Sequence, residues 1–271
     1  MYIAVDGPKN IEEKVITLAI SEMLDRYKRN SKITIWLNDS NFGLSKNVTW
    51  SISKVLITEA NLIVIEDDIF MTKNIYLSIS ELLNTSNDEK LGVVGGFSAI
   101  PAPPKALQFL IRNKFRPTTR INIWGWGIRK DAWNLYEREL PEVDFREVLK
   151  DSISWNKLPK RIKNIWVGRF IKVSKNPSLT WDFQVQFMSF RHDLNNYLPR
   201  FRALDNLGFE SVNSTNTKLR RSRYYLGQTD YRRIQMAGKN RFVSWIFDRI
   251  ELYSDLYPKI FSIPKFLKLN D

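Results

Sequence analysis

Over its first 95 residues the chain alternates short apolar runs with stretches of helical periodicity, and this alternation narrows the fold more than any other feature. Tyr2–Val5, Ile33–Leu37, Leu62–Ile65 and Leu91–Val94 are short enough for strands and end in turn-forming or acidic residues. Between them the spacing predicts helices over about 11–29, 45–59 and 72–84. Asn10 is placed to cap the first, with Glu13 as its capping-box partner. Ile11, Val15, Leu18, Ala19, Met23 and Leu24 recur near one side of that helix, which predicts its packing face. Strands alternating with helices predict an α/β layer fold with a mainly parallel sheet flanked by helices. In such sheets ligands bind beyond the carboxyl ends of the strands. Asp6-Gly7 and Glu66-Asp67-Asp68 both fall at such ends.

Beyond residue 97 the pattern loosens. Pro101, Pro103 and Pro104 mark a loop, and Asn122–Trp126 is aromatic and broken by glycine. Helices are predicted over about 129–138 and 181–194, and residues 144–173 read as helical with many basic side chains. Residues 211–229, rich in Ser, Asn, Thr and Arg, read as a flexible basic loop. The tail from 239 mixes Lys and Arg with Phe, Trp, Tyr and Leu. No internal repeat or clean linker divides the chain. The expected organisation is one α/β domain over 1–210, with the basic loop and an aromatic C-terminal helical extension over 211–271.

Composition removes several chemistries. There is no cysteine, so disulfide scaffolds, zinc fingers, thiol nucleophiles and iron–sulfur sites are excluded. The only histidine, His192, excludes a two-histidine metal site and reads as an ordinary surface residue. Lys and Arg number 42 against 29 Asp and Glu, a net charge of +13, which predicts an anionic partner. The start MYIAVDGPKN lacks a secretory signal pattern, and no run of about 18 apolar residues occurs, so the expected location is cytoplasmic.

Three adjacent acids repel one another unless a cation neutralises them. Mg²⁺ or Mn²⁺ takes one or two carboxylates and completes its shell with water and substrate phosphates, so the triplet at 66–68 reads either as a metal site or as solvated, helix-capping acids. Trp124-Gly125-Trp126-Gly127 reads either as a wall for a sugar face or as aromatic core beside a helix start. Asp182 opens an amphipathic helix, as a carboxylate on the helix dipole or as a general base. Lys218, Arg220, Arg221 and Arg223 form a phosphate-type patch without any recognisable nucleic-acid module, and nucleic acid is not an expected partner.

In order, Tyr2–Pro8 (YIAVDGP), Asn41–Ser53 (NFGLSKNVTWSIS), Ile63–Asp68 (IVIEDD), Trp124–Trp133 (WGWGIRKDAW), Thr180–Gln184 (TWDFQ) and Asp205–Phe209 (DNLGF) resemble the GT-A-fold glycosyltransferases. The likeness is to the bacterial nucleotide-diphospho-sugar transferases related to N-acetylglucosaminyltransferase I, and it spans about 2–209. It implies a GT-A-like (Rossmann-like) sheet. It places Asp6 and Gly7 near the nucleotide base, Glu66 and Asp67 near base and ribose, and Asp68 on an Mn²⁺ or Mg²⁺ bridging the donor diphosphate. It also implies Asp182 as catalytic base and Trp124, Gly125 and Trp126 lining the cleft. The family's first strand–helix unit, whose loop helps hold the nucleotide, has no counterpart ahead of Tyr2.

The resemblance implies a metal-dependent, inverting transfer of a sugar from a nucleotide-diphosphate donor to a hydroxyl of a glycan or lipid-linked acceptor, in cell-surface polysaccharide synthesis. The basic loop at 218–223 is expected over the diphosphate. The charged, aromatic tail at 239–269 is expected either on an anionic membrane surface or packed on the domain. The alternatives are a catalytically inactive nucleotide- or glycan-binding protein and a nucleotidyltransferase; the latter lacks a glycine-rich basic loop here.

Overall fold

A computed structural model describes residues 1–98, 100, 114–206 and 235–236. The expected basic loop at 211–229, the patch at 218–223 and the tail at 239–269 lie outside the described residues.

The elements run β1 (Tyr2–Val5), α1 (Ile11–Asp25), β2 (Thr34–Leu37), α2 (Leu44–Val55), β3 (Asn61–Val64), β4 (Ile69–Met71), α3 (Lys73–Thr85) and β5 (Leu91–Gly95). They continue with β6 (Lys114–Thr118), β7 (Trp126–Arg129), α4 (Lys130–Trp133), α5 (Phe145–Val148), α6 (Ile153–Asn156), α7 (Lys160–Lys175) and α8 (Asp182–Arg191). Then come β8 (Asn195–Pro199), β9 (Leu204–Asn206) and the two-residue β10 (Gln235–Met236). The expected α/β class holds.

The main sheet has five strands in the order β6-β8-β5-β7-β3, with β10 added beside β6. It is mixed, which corrects the expectation of a mainly parallel sheet. β5 and β8 are parallel, but β7 runs antiparallel to both β3 and β5, and β6 antiparallel to β8. The reason lies in β7, which begins at the second Trp-Gly of the Trp-Gly-Trp-Gly stretch, where there was no strand-like pattern. It returns from the irregular region and slots between β3 and β5. Gly127 makes this possible. A Cβ there would sit 2.6 Å from Leu83 Cδ1 and 2.8 Å from Ile79 Cγ2, so α3 packs directly on the bare strand.

β1 and β2 form a separate parallel pair, Tyr2 opposite Thr34 through Val5 opposite Leu37. Among the described residues β1 pairs only with β2, and β3 only with β7. The two edges start near each other, for Tyr2 Oη donates to Glu59 Oε1 at 2.8 Å, and α2 packs across both strands. β4 and β9 form a third, antiparallel pair.

One apolar layer lies between α3 and the sheet, from Ile75, Ile79, Leu83, Leu91, Val94 and Phe115. The opposite face is filled by Ile52, Val93, Trp126, Trp133, Trp181 and Val185. An aromatic cluster of Phe145, Trp155, Trp166, Phe170, Phe187 and Phe190 ties α5, α6 and α7 to α8. The stretch read as helical over 144–173 is three helices, with Asp144, Ser152 and Pro159 as N-caps. Helix α1 also departs from expectation. Of its predicted packing face only Leu24 is buried, while Ile11, Val15, Leu18 and Met23 are exposed.

A carboxylate cluster beyond strand β3

Apolar β3 ends at Val64, and the chain turns at once through Glu66-Asp67-Asp68 into β4, closed by Ile69 N donating to Glu66 O at 3.1 Å. Pairing of Ile69 with Asn206 across β4 and β9 brings the Asn206 side chain onto Asp68 as a hydrogen-bond donor. Beneath lie Ile69, Phe97 and Leu204, with Trp124 edge-on to Phe97 at 4.6 Å between ring centroids. Glu66 and Asp68 are half-buried and Asp67 is exposed. Glu66 Oε1 and Asp68 Oδ1 are shielded from solvent and have no hydrogen-bond partner among the described residues.

The second part of the site comes from α8. Trp181, its N-cap, stacks on Trp126 of β7 with centroids 5.5 Å apart, and Trp126 lies opposite Val64 of β3. This stack carries the helix start to the carboxyl end of β3. The loop before it is pinned from three sides. Ser45 Oγ donates to the carbonyls of Pro177 and Thr180, buried Gln184 Nε2 donates to Thr180 O at 2.9 Å, and Tyr136 Oη reaches Trp181 O at 3.5 Å. Asp182, the first residue of α8, is thereby fixed within the electrostatic field of Glu66.

The electrostatics follow from that convergence. Burial, then the charges of Asp68, Asp67 and Asp182, push Glu66 up from 4.5 to about 7. Burial and Asp67 raise Asp68, against its own backbone N–H and Asn206. Burial raises Asp182 as well. The Thr180 hydroxyl, the N–H groups of Asp182 and Phe183, and Arg169 oppose it by favouring the carboxylate. Glu66, Asp68 and Asp182, all driven toward the neutral form, are suited to receive positive charge.

The donor set fits a divalent cation of the Mg²⁺ or Mn²⁺ type on the ground of those two orphaned, buried carboxylate oxygens. No group of three or more Asp, Glu or His side chains that could hold a metal ion occurs among the described residues. An ion held by one or two carboxylates and completed by substrate needs no such group.

The other expected site residues have different settings. Asp6 is taken up by its neighbouring loop. Gly7 N at 2.9 Å and Phe42 N at 2.8 Å donate to Oδ1, and Asn41 Nδ2 at 3.1 Å and Gly43 N at 3.0 Å donate to Oδ2. Gly7 packs against the Ser40 backbone. Trp126, expected to line the cleft, is wholly buried, because it fills the layer between Trp133 and Trp181. Trp124 is half-buried. Gly125 adopts a left-handed backbone (φ 54°), and its carbonyl accepts from Gly96 N at 2.8 Å. His192 is half-buried at the end of α8, where burial and Arg191 hold it below its usual value. Sequence reasoning gave no role to Ser45, Tyr136, Thr180, Gln184 and Asn206, although all but Tyr136 lie within the stretches that carry the resemblance.

No protein-family model matches the chain, and comparison with curated proteins finds no match.

Proposed function

We propose that this protein is a glycosyltransferase that moves a sugar from a nucleoside-diphosphate donor to a hydroxyl acceptor with inversion, on a GT-A-like sheet. The observation that carries this reading is the pair of shielded Glu66 and Asp68 carboxylate oxygens left without partners, with Asp182 near enough for its charge to reach Glu66. Asp182 takes the proton from the acceptor hydroxyl as that oxygen attacks the anomeric carbon. Its carboxylate is oriented by Thr180, whose hydroxyl favours the ionised form against the pull of burial, as do the backbone N–H groups and, least, Arg169. Asp68, with Glu66 beside it, holds the divalent cation, which when bound neutralises charge developing on the departing diphosphate. The pinned loop at 177–181 keeps the base in place at no cost in reorganisation during the reaction.

A second reading has its own support. All four hydrogen bonds accepted by Asp6 come from Gly7 and the neighbouring loop at 41–43, so its carboxylate is no spare acceptor for a base. That suits a binding protein of transferase-like fold without turnover. Nucleotide release from a panel of nucleoside-diphosphate sugars with Mn²⁺, run beside calorimetric titration of UDP, GDP and dTDP, separates the two. Transfer requires metal-dependent release that Asp68→Ala abolishes. Nucleotide binding without release from any donor identifies a binding protein, and absence of both overturns the nucleotide site.

A further inference from the structure

We propose that the exposed face of helix α7 is a docking surface for an anionic lipid bilayer. Positive charge is dense along this part of the chain. Residues 146–179 hold nine Lys or Arg against two acids, a net +7 within the total of +13, and α7 carries six cations and no acid. Its buried side, Ile162, Trp166, Phe170 and Val173, packs on α8 and fixes which side faces outward. At 100° per residue, Lys160, Ile171, Lys172 and Lys175 fall in one stripe about 120° wide, and all are exposed. Lys157, just before the helix, is exposed too. None of these four lysines is in an ion pair among the described residues.

Apolar exposure separates a bilayer from other polyanions. Ile171 is 41% exposed in the middle of the stripe, and Leu179 is 53% exposed four residues beyond Lys175. A surface for single-stranded nucleic acid instead offers aromatic faces for stacking, and here the indoles of Trp155 and Trp166 are buried. Cations over headgroups with aliphatic side chains between them are what a peripheral membrane helix presents. Leu179 lies three residues before Asp182, so the docked face adjoins the proposed base. Delivery of a lipid-linked acceptor there rests on the glycosyl-transfer reading; docking does not.

The test is co-sedimentation of the full chain with vesicles of phosphatidylglycerol and phosphatidylcholine in equal parts, against phosphatidylcholine alone. Anionic vesicles bind, neutral ones do not, and added salt weakens binding. Replacing Lys157, Lys160, Lys172 and Lys175 with Gln lowers affinity about five-fold per lysine and several hundred-fold together. Ile171→Ser with Leu179→Ser leaves the salt dependence but reduces affinity further. The thermal midpoint of each variant stays at wild type because the side chains are exposed. Wild-type vesicle binding by the quadruple variant, with binding lost when Lys239, Lys259, Lys265 and Lys268 become Gln, overturns the assignment. So does tight binding of duplex RNA or DNA with none to vesicles. The readout needs neither donor nor metal, so it fails or succeeds independently of the proposed catalysis.

Discussion

Asp6 and Asp193 each accept four hydrogen bonds from their own surroundings, whereas Glu66 Oε1 and Asp68 Oδ1 have no partner among the described residues. Asp193 clamps Ser152, Ile153 and Ser154 at the start of α6; burial pushes it up, but those donors outweigh it and hold it below the usual carboxylate range. Sequence position alone did not separate these roles, since Asp6 and Asp68 both follow strands. Partner satisfaction separates them. Three predictions follow from the chemistry. Asp182→Asn keeps donor binding and loses about 10²–10⁴ in turnover, read by nucleotide release. Thr180→Val removes a donor that favours the carboxylate, so the acid limb of the pH–rate profile moves to higher pH with the high-pH plateau retained. Glu66, raised to about 7 from 4.5, holds a proton in the folded state that the unfolded chain releases. Its folded-state pKa is the higher one, so stability falls as pH rises from 4.5 through about 7. Glu66→Gln removes that decline and is the more stable protein at pH 8, by on the order of 3 kcal/mol in denaturant melts at low divalent ion.

Strands β1, β2, β3 and β5 were legible because each is a short apolar run ended by a turn former or an acid, and their bounds shift by only a residue. Strand β7 was hidden. Trp126 and Gly127 are set by what lies above and below them, not by strand propensity, and tertiary packing overrides local preference there. Caps at Asp144, Ser152 and Pro159 were present in the sequence but masked by a nearly continuous apolar periodicity. Gly127→Val tests the strand directly. Valine suits a strand, but here it drives into Leu83 and Ile79, so denaturation should show a loss of about 1–3 kcal/mol. A gain in stability would mean that α3 does not rest on β7.

Across the whole molecule, apolar surface is unevenly covered. The inner strand β5 is buried along its length, while α1 turns Ile11, Val15, Leu18 and Met23 outward and β1 has a partner on one side only among the described residues. Periodicity located the apolar side of α1 but could not say whether anything lies against it. Replacing Ile11, Val15 and Leu18 together with Lys should leave the thermal midpoint within about 3 °C, since exposed substitutions away from special features cost little. A collapse in stability would show that this face is covered. No helix among the described residues is long and apolar enough to cross a membrane. The separate β1–β2 pair has a consequence in time as well as in space. Its amides should exchange with deuterium through a local opening that leaves β5, β7 and β8 closed, because cooperative units with few buried contacts open at less than the global free energy. The loop clamped by Asp6 rides on that pair. That loop should therefore open together with β1 and β2, while helix α8, which bears Asp182, stays closed.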